Sequence, residues 1–313
     1  MGMEAEQREN PKILVPYSMP DLDSGILDFF VYLRPETNGV DVESTIFSVI
    51  RTFGPAITLQ YLANLPGEYV AANRIVERHY QDRVFFARHG AKPFTVDMRR
   101  QFEEFFREPF DPRRVVGAFD ALAVLNIPEM ALFALRVPEE CVVHIAGQIV
   151  KKIGDVFVVN YDIPAILNRN HAGTDIAVMV FRTTMDYRSF FEVVSRMRLA
   201  LIDRHLVSPE RDLSRAVHVT RSPFEQLKDA RDYLIAPDGT PMGVTAGPFA
   251  RFLLNEGFSA EEIFDITARP ICSVRMESGA LRDVSMMDFT QGQDYQTARD
   301  QLSLVEARIP IPD

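Results

Sequence analysis

Cysteine is nearly missing from this chain. Its 313 residues include two, Cys141 and Cys272, far apart and outside any CxxC pattern. That excludes a disulfide framework and a cysteine-built zinc site, and no metal is predicted. Lysine is scarce as well: Lys12, Lys92, Lys151, Lys152 and Lys228 are all there are, and no run of basic residues stands free of acids. With a net charge of −10, the chain has no basic surface for displacing phosphate counterions, so nucleic acid is excluded as a partner. An anionic membrane surface is excluded on the same ground. No apolar run is long enough to span a bilayer. The charged start, MGMEAEQRENPK, lacks the apolar core of a signal peptide, and Glu6 stands where a myristoylation signal wants Ser or Thr. The expected location is the cytoplasm. GxGxxG, Walker and GxSxG patterns are all missing, so three enzyme classes lose their usual support and no cofactor is predicted.

What is present is an ordinary globular balance, 47% hydrophobic and 25% charged, in a chain long enough for one large domain or two. Residues 1–11 read as a disordered tail. KILVPY (12–17) and ILDFFVYLRP (26–35) read as strands. Val42, Ile46, Val49, Ile50 and Phe53 recur at helical spacing, ended by Gly54-Pro55. A second helix (66–80) leads into RVFFAR, read as a strand, and residues 97–153 read as a helical block. Within that block, Val142, Ile145, Ile149 and Ile153 form one stripe at about 100° per residue, which places His144 on the opposite, solvated face. DVFVVNYDI and TDIAVMVFRT read as strands, and a long helix follows over 187–206. Ser222 and Glu225 form a capping box, as do Ser259 and Glu262. Asp238-Gly239 turns a hairpin, and PICSVRME and ALRDVSMMDF close the chain as paired strands before an extended tail. The elements do not alternate strictly, so the expected fold is a mixed α/β or α+β one with irregular mixed sheets. The expected boundary is Gly154-Asp155, dividing a region 12–154 from a region 155–313, unless the two form one continuous domain.

Three polar stretches invite a chemical reading. Arg88-His89-Gly90 follows the expected strand as it does in histidine phosphatases, where the histidine attacks phosphorus. There, however, the tripeptide ends the first strand, and a second histidine completes the pocket. Here several elements precede it and His144 falls on a solvated face, so His89 is read as an element end. Asp21 and Asp23 have the Asp-x-Asp spacing of haloacid-dehalogenase-type phosphatases, but Pro20 interrupts the strand that should deliver them, and a turn explains them. The third stretch, NRNHAGTD (168–175), lies between two apolar strands. Arg169 could fork onto a carboxylate or phosphate, His171 could exchange a proton, and Asp175 could orient it. Asn168, Asn170, Thr174 and the upstream Asp162 could add contacts. The same residue types also make any exposed loop.

Two functions follow as expectations. The first is a cytoplasmic binding, regulatory or assembly protein that works through protein contacts, with a partner or with itself, the C-terminal tail offering one edge for strand pairing. The second is a hydrolase or transferase for a small anionic substrate, with its site near 168–175.

Overall fold

The computed structural model describes residues 10–20, 26–171, 173–209 and 216–311. Positions 1–9 of the expected tail, and both Asp21 and Asp23, lie outside the described residues. Twelve strands run through the rest: β1 (Lys12–Val15), β2 (Leu27–Leu33), β3 (Ile57–Pro66), β4 (Val115–Gly117), β5 (Val142–Ile145), β6 (Gln148–Ile153), β7 (Val156–Val159), β8 (Asp175–Thr183), β9 (Val217–Val219), β10 (Ile271–Arg275), β11 (Leu281–Ser285) and β12 (Val305–Arg308). They form three sheets among many short helices, a mixed α/β fold. Chain contacts divide the molecule into two units, each built from separated segments. The first comprises Met1–Ile75, Asn170–Thr267 and Gln291–Ala298, and the second Val76–Arg169, Ala268–Thr290 and Arg299–Asp313. Gly154-Asp155 is the turn between paired β6 and β7 inside the second unit.

The first unit rests on an antiparallel sheet of order β1-β3-β8-β2-β9. Helix Val40–Arg51 joins β2 to β3 and helix Tyr187–Asp203 leads from β8 towards β9. Two split β-α-β halves thus interleave, the ferredoxin-like layout, with β1 added at one edge. The two helices pack together, and Val42, Ile46, Phe190 and Met197 bury Phe29, Val31, Met179 and Phe181 of the sheet. Alternation sends Asp28, Phe30 and Tyr32 to the other face, where helices Pro223–Tyr233 and Pro248–Asn255 pack against β2. Covered on both sides, β2 is buried along its whole length.

The second unit holds β4-β7-β6-β5, in which β4 and β7 run parallel, and a three-stranded sheet β11-β10-β12. Its core is aromatic: Phe86, Phe94, Phe102 and Phe157 are buried with Val115, Val150 and Ile271. Helix Val96–Phe106 also closes the outer edge of β11. Asp97 accepts from the Asp283 N–H at 2.7 Å, and the Gln101 amide donates to the Asp283 C=O at 2.9 Å. An edge satisfied by side chains is not free to recruit another strand.

Two expectations are corrected here. The helical block ends with Glu129–Ala134, and residues 142–153 form a hairpin with Val143 facing Val150. Its β-branched residues favour strands, and Ala146 (φ 48°) with Gly147 (φ 83°) makes the two-residue turn that twisted hairpins prefer. RVFFAR belongs to helix Gln81–His89, not to a strand. The C-terminal tail docks on its own unit: β12 pairs with β10 as an edge strand of the sheet β11-β10-β12, and Ile309 and Ile311 pack on the core of the same unit.

Candidate functional site

The 168–175 loop spans the point where the chain passes from one unit to the other, so its residues divide between two frameworks. On the second-unit side, Asn168 is the exposed last residue of helix Ile163–Asn168. Arg169 lays its guanidinium over the Phe133 ring at 4.2 Å, with Nη2 3.8 Å from Met130 Sδ. On the first-unit side, Asn170 is half-buried and His171 exposed. The backbone of His171 folds the loop: its N–H donates to Thr174 Oγ1 at 3.1 Å, and its C=O accepts from that hydroxyl at 2.7 Å. The Thr174 C=O then accepts from the Gly67 N–H at 2.7 Å. A Cβ on Gly67 would collide with the His171 carbonyl and the Thr174 hydroxyl, so the close approach requires glycine.

Asp175 serves the sheet rather than His171. Its Oδ1 accepts from Asn38 Nδ2 and its Oδ2 from Asn64 Nδ2, each at 2.6 Å. Asn38 Oδ1 in turn accepts from the Ala177 N–H at 3.2 Å. The clamp fixes the start of β8 against β3. Burial and the nearby charge of Asp175 push the Glu43 carboxyl above its ordinary value.

Asp162 lies in the second unit, where its Oδ1 meets Arg83 Nη2 at 2.6 Å. Burial works against the Arg83 charge, but Asp162 outweighs it and holds the guanidinium protonated. Asn160 next door sits in the left-handed region (φ 53°). Its amide donates to the Arg83 C=O and to Gln148 Oε1, at 2.9 and 2.7 Å, tying helix Gln81–His89 to the sheet. His89 ends that helix, exposed, its ring 4.6 Å from Phe85.

Sequence reading missed the polar face of the first sheet. Arg182 forks onto Asp28, Nε to Oδ1 at 2.8 Å and Nη2 to Oδ2 at 2.9 Å, and the Tyr17 hydroxyl donates to Oδ2 at 2.5 Å. Burial, with the Asp28 charge, pushes the Tyr17 phenol far above its ordinary value. Further along, His218 Nε2 lies 3.2 Å from Oδ2 of buried Asp229, which also accepts from Thr220 Oγ1 at 2.7 Å. Tyr32 stacks on the His218 ring at 4.1 Å. The signal was the alternation in VHVT: Val217 and Val219 turn to one face, His218 and Thr220 to the other.

A second feature left unused was AFDALAVLNIPEMALFAL (118–135), whose only charges are Asp120 and Glu129. It folds as helices Ala118–Leu125 and Glu129–Ala134, joined through Asn126 in the left-handed region. Inward residues Ala118, Ala121, Leu132 and Phe133 are buried, and the pair packs on helices Gln81–His89 and Ile163–Asn168 and on β4 and β7. Of its exposed residues Asp120 and Asn126 are polar and the others apolar. Val124 is 56% exposed and Met130 50%, and Ala123, Ala131 and Ala134 are exposed beside them. Surface helices ordinarily turn a polar face outward.

Among the described residues no group of three or more His, Cys, Asp or Glu side chains could hold a metal ion, and no helix is long and apolar enough to cross a membrane. No family model, no curated protein and no solved structure matches the chain.

Proposed function

We propose that the protein works by binding another protein, as a regulatory or assembly factor of the cytoplasm. The observation that carries this reading is the outward apolar row of the 118–135 helical pair. Leaving Val124 and Met130 half in water forgoes about half of the roughly 1.5–3 kcal/mol that full burial of each such side chain gives, which a partner surface would recover. The cytoplasm is supported by Cys141 and Cys272, both free thiols.

A second reading, catalysis on a small anionic substrate, draws on His218. A histidine steadied by a buried carboxylate is an acid/base arrangement. The 168–175 loop supports it less well, because Asp175 is committed to Asn38 and Asn64.

The test replaces Val124 in the full chain with a photo-crosslinking amino acid and irradiates it in cells. A discrete protein adduct, a second copy included, is expected. No adduct, together with a melting-temperature rise of several degrees on adding phosphate or carboxylate metabolites that vanishes in His218→Asn, would overturn binding in favour of catalysis.

A further inference from the structure

We propose that residues 291–298 form a latch on the first unit, one that opens and closes while the sheet beneath it stays folded. The inference stands apart from the protein-binding reading. The latch closes an unfinished strand edge. β9 pairs with β2 from Val31 to Leu33, and Thr220 exchanges hydrogen bonds with Phe30. At Asp28 the same edge is met by side chains instead. Gln226 Nε2 donates to the Asp28 C=O at 2.7 Å and to the Tyr295 hydroxyl at 2.9 Å. That hydroxyl donates in turn to Gln226 Oε1 at 3.2 Å. The Tyr295 ring lies 5.0 Å from Phe249 and 5.9 Å from Phe252, and the Gly292 N–H donates to the Arg221 C=O at 3.0 Å. The chain enters this segment from the second unit after Thr290 and returns there after Ala298, so the latch can lift without freeing a chain end.

Two features favour opening. Gln291, Gly292, Asp294, Gln296 and Thr297 are exposed and Tyr295 is half-buried, so little apolar surface is given up when the segment lifts. Elements of that kind open locally, well below the free energy of global unfolding. The second feature is Tyr187, whose hydroxyl is buried with no hydrogen-bond partner among the described residues. Its ring meets Phe29 of β2 at 4.9 Å, and Tyr295 packs against the same core cluster. Burial first, and then the neighbouring Tyr295 phenol, push the Tyr187 phenol well above its ordinary value. A buried hydroxyl left unpaired is destabilising, and lifting Tyr295 away returns it to water. The closed latch therefore bears a strain that the open one lacks.

The experiment is amide hydrogen exchange by NMR on the full chain, with circular dichroism checking the fold of each variant. Gly292 and Ala298 report the latch, since their N–H groups donate to the Arg221 and Asp294 carbonyls. Phe29 reports the sheet: Phe30 turns its N–H away from β8 to Thr220, so antiparallel alternation turns that of Phe29 towards β8. In the parent chain the latch amides are expected to exchange faster than Phe29, at a rate that urea barely changes. Phe29 should accelerate with urea, because unfolding the unit exposes far more surface. Tyr187→Phe should slow the latch amides about tenfold, and Tyr295→Phe should speed them about tenfold. Latch amides that keep pace with Phe29 at every urea concentration would overturn the proposal. So would a Tyr187→Phe variant that slows Phe29 and leaves the latch unchanged, since the hydroxyl would then reach water only when the unit unfolds. A folded Tyr295→Phe variant with unchanged latch exchange would overturn it as well. If Tyr295→Phe does not fold, the parent chain and Tyr187→Phe still decide.

Discussion

Glu225 shows how one side chain serves a helix, a strand end and the pH response at once. The Ser222 hydroxyl caps helix Pro223–Tyr233 by accepting from the Glu225 N–H at 3.2 Å, and Glu225 Oε2 reaches back past the cap to accept from the Arg221 N–H at 2.6 Å. Burial pushes this carboxyl up. The charges of Arg221 and His218, with the Arg221 hydrogen bonds, more than offset it and hold it at about 2. A carboxyl depressed by folding contributes stability that is complete above its ordinary value of 4.5 and is lost as pH falls towards about 2. Glu225→Gln should therefore cost about 1–2 kcal/mol at neutral pH, the low end because Arg221 is half in solvent. The gap from the parent should close steadily under acid. Urea unfolding at a series of pH values measures it, and a gap that does not change with pH would show the contribution to be packing rather than charge.

At the level of elements, Gly90 explains the tripeptide that resembled a phosphatase opening. It caps helix Gln81–His89 at φ 56° and ψ −120°, a conformation that side chains rarely adopt. A Cβ there would also sit 2.7 Å from the Gly117 nitrogen and 2.9 Å from the Val115 carbonyl. Gly90→Ala should cost on the order of 3 kcal/mol from strain and overpacking together. His89→Ala, on the exposed neighbour, should stay within about 0.5 kcal/mol. Thermal unfolding of the two variants decides between a structural glycine and a functional histidine, since equal losses would contradict this account. Local chemistry made the caps legible in the sequence: Ser259 with Glu262 forms the reciprocal box, and Ser222 caps the Glu225 N–H while the Glu225 carboxylate turns to the Arg221 N–H. Periodicity proved weaker where it was short. Val142, Ile145, Ile149 and Ile153 fit a helical stripe, but β-branched residues around an Ala146-Gly147 turn fit a hairpin better. RVFFAR has strand-forming residues, and packing of Val84, Phe86 and Ala87 into the second unit made it a helix. β3 was overlooked although Ile57, Leu59, Tyr61, Ala63 and Leu65 alternate, and a register shift between Leu59 and Tyr61 breaks the strand's regular pairing. In the candidate loop the residue types were legible but not their partners, because Asn38 and Asn64 lie more than a hundred positions before Asp175.

For the whole molecule, connectivity decides what can be separated. The chain leaves one unit for the other after Ile75, Arg169, Thr267, Thr290 and Ala298, so neither unit is a continuous stretch. A cut at Gly154-Asp155 would part β6 from β7, which pair from Val150 with Val159 to Ile153 with Val156. The same cut would part β3 from β8, the long central pairing of the other sheet, from Ile57 with Thr183 to Pro66 with Asp175. Each fragment would then expose a strand whose buried face and ladder belong to the other. Fragments 1–154 and 155–313 should each fail to unfold cooperatively when made alone, and made together they should recover one cooperative transition. Calorimetry on the separate and co-expressed halves measures this. A sharp transition in 155–313 alone would mean that its strands close a core without β3 and β6, and would overturn this account.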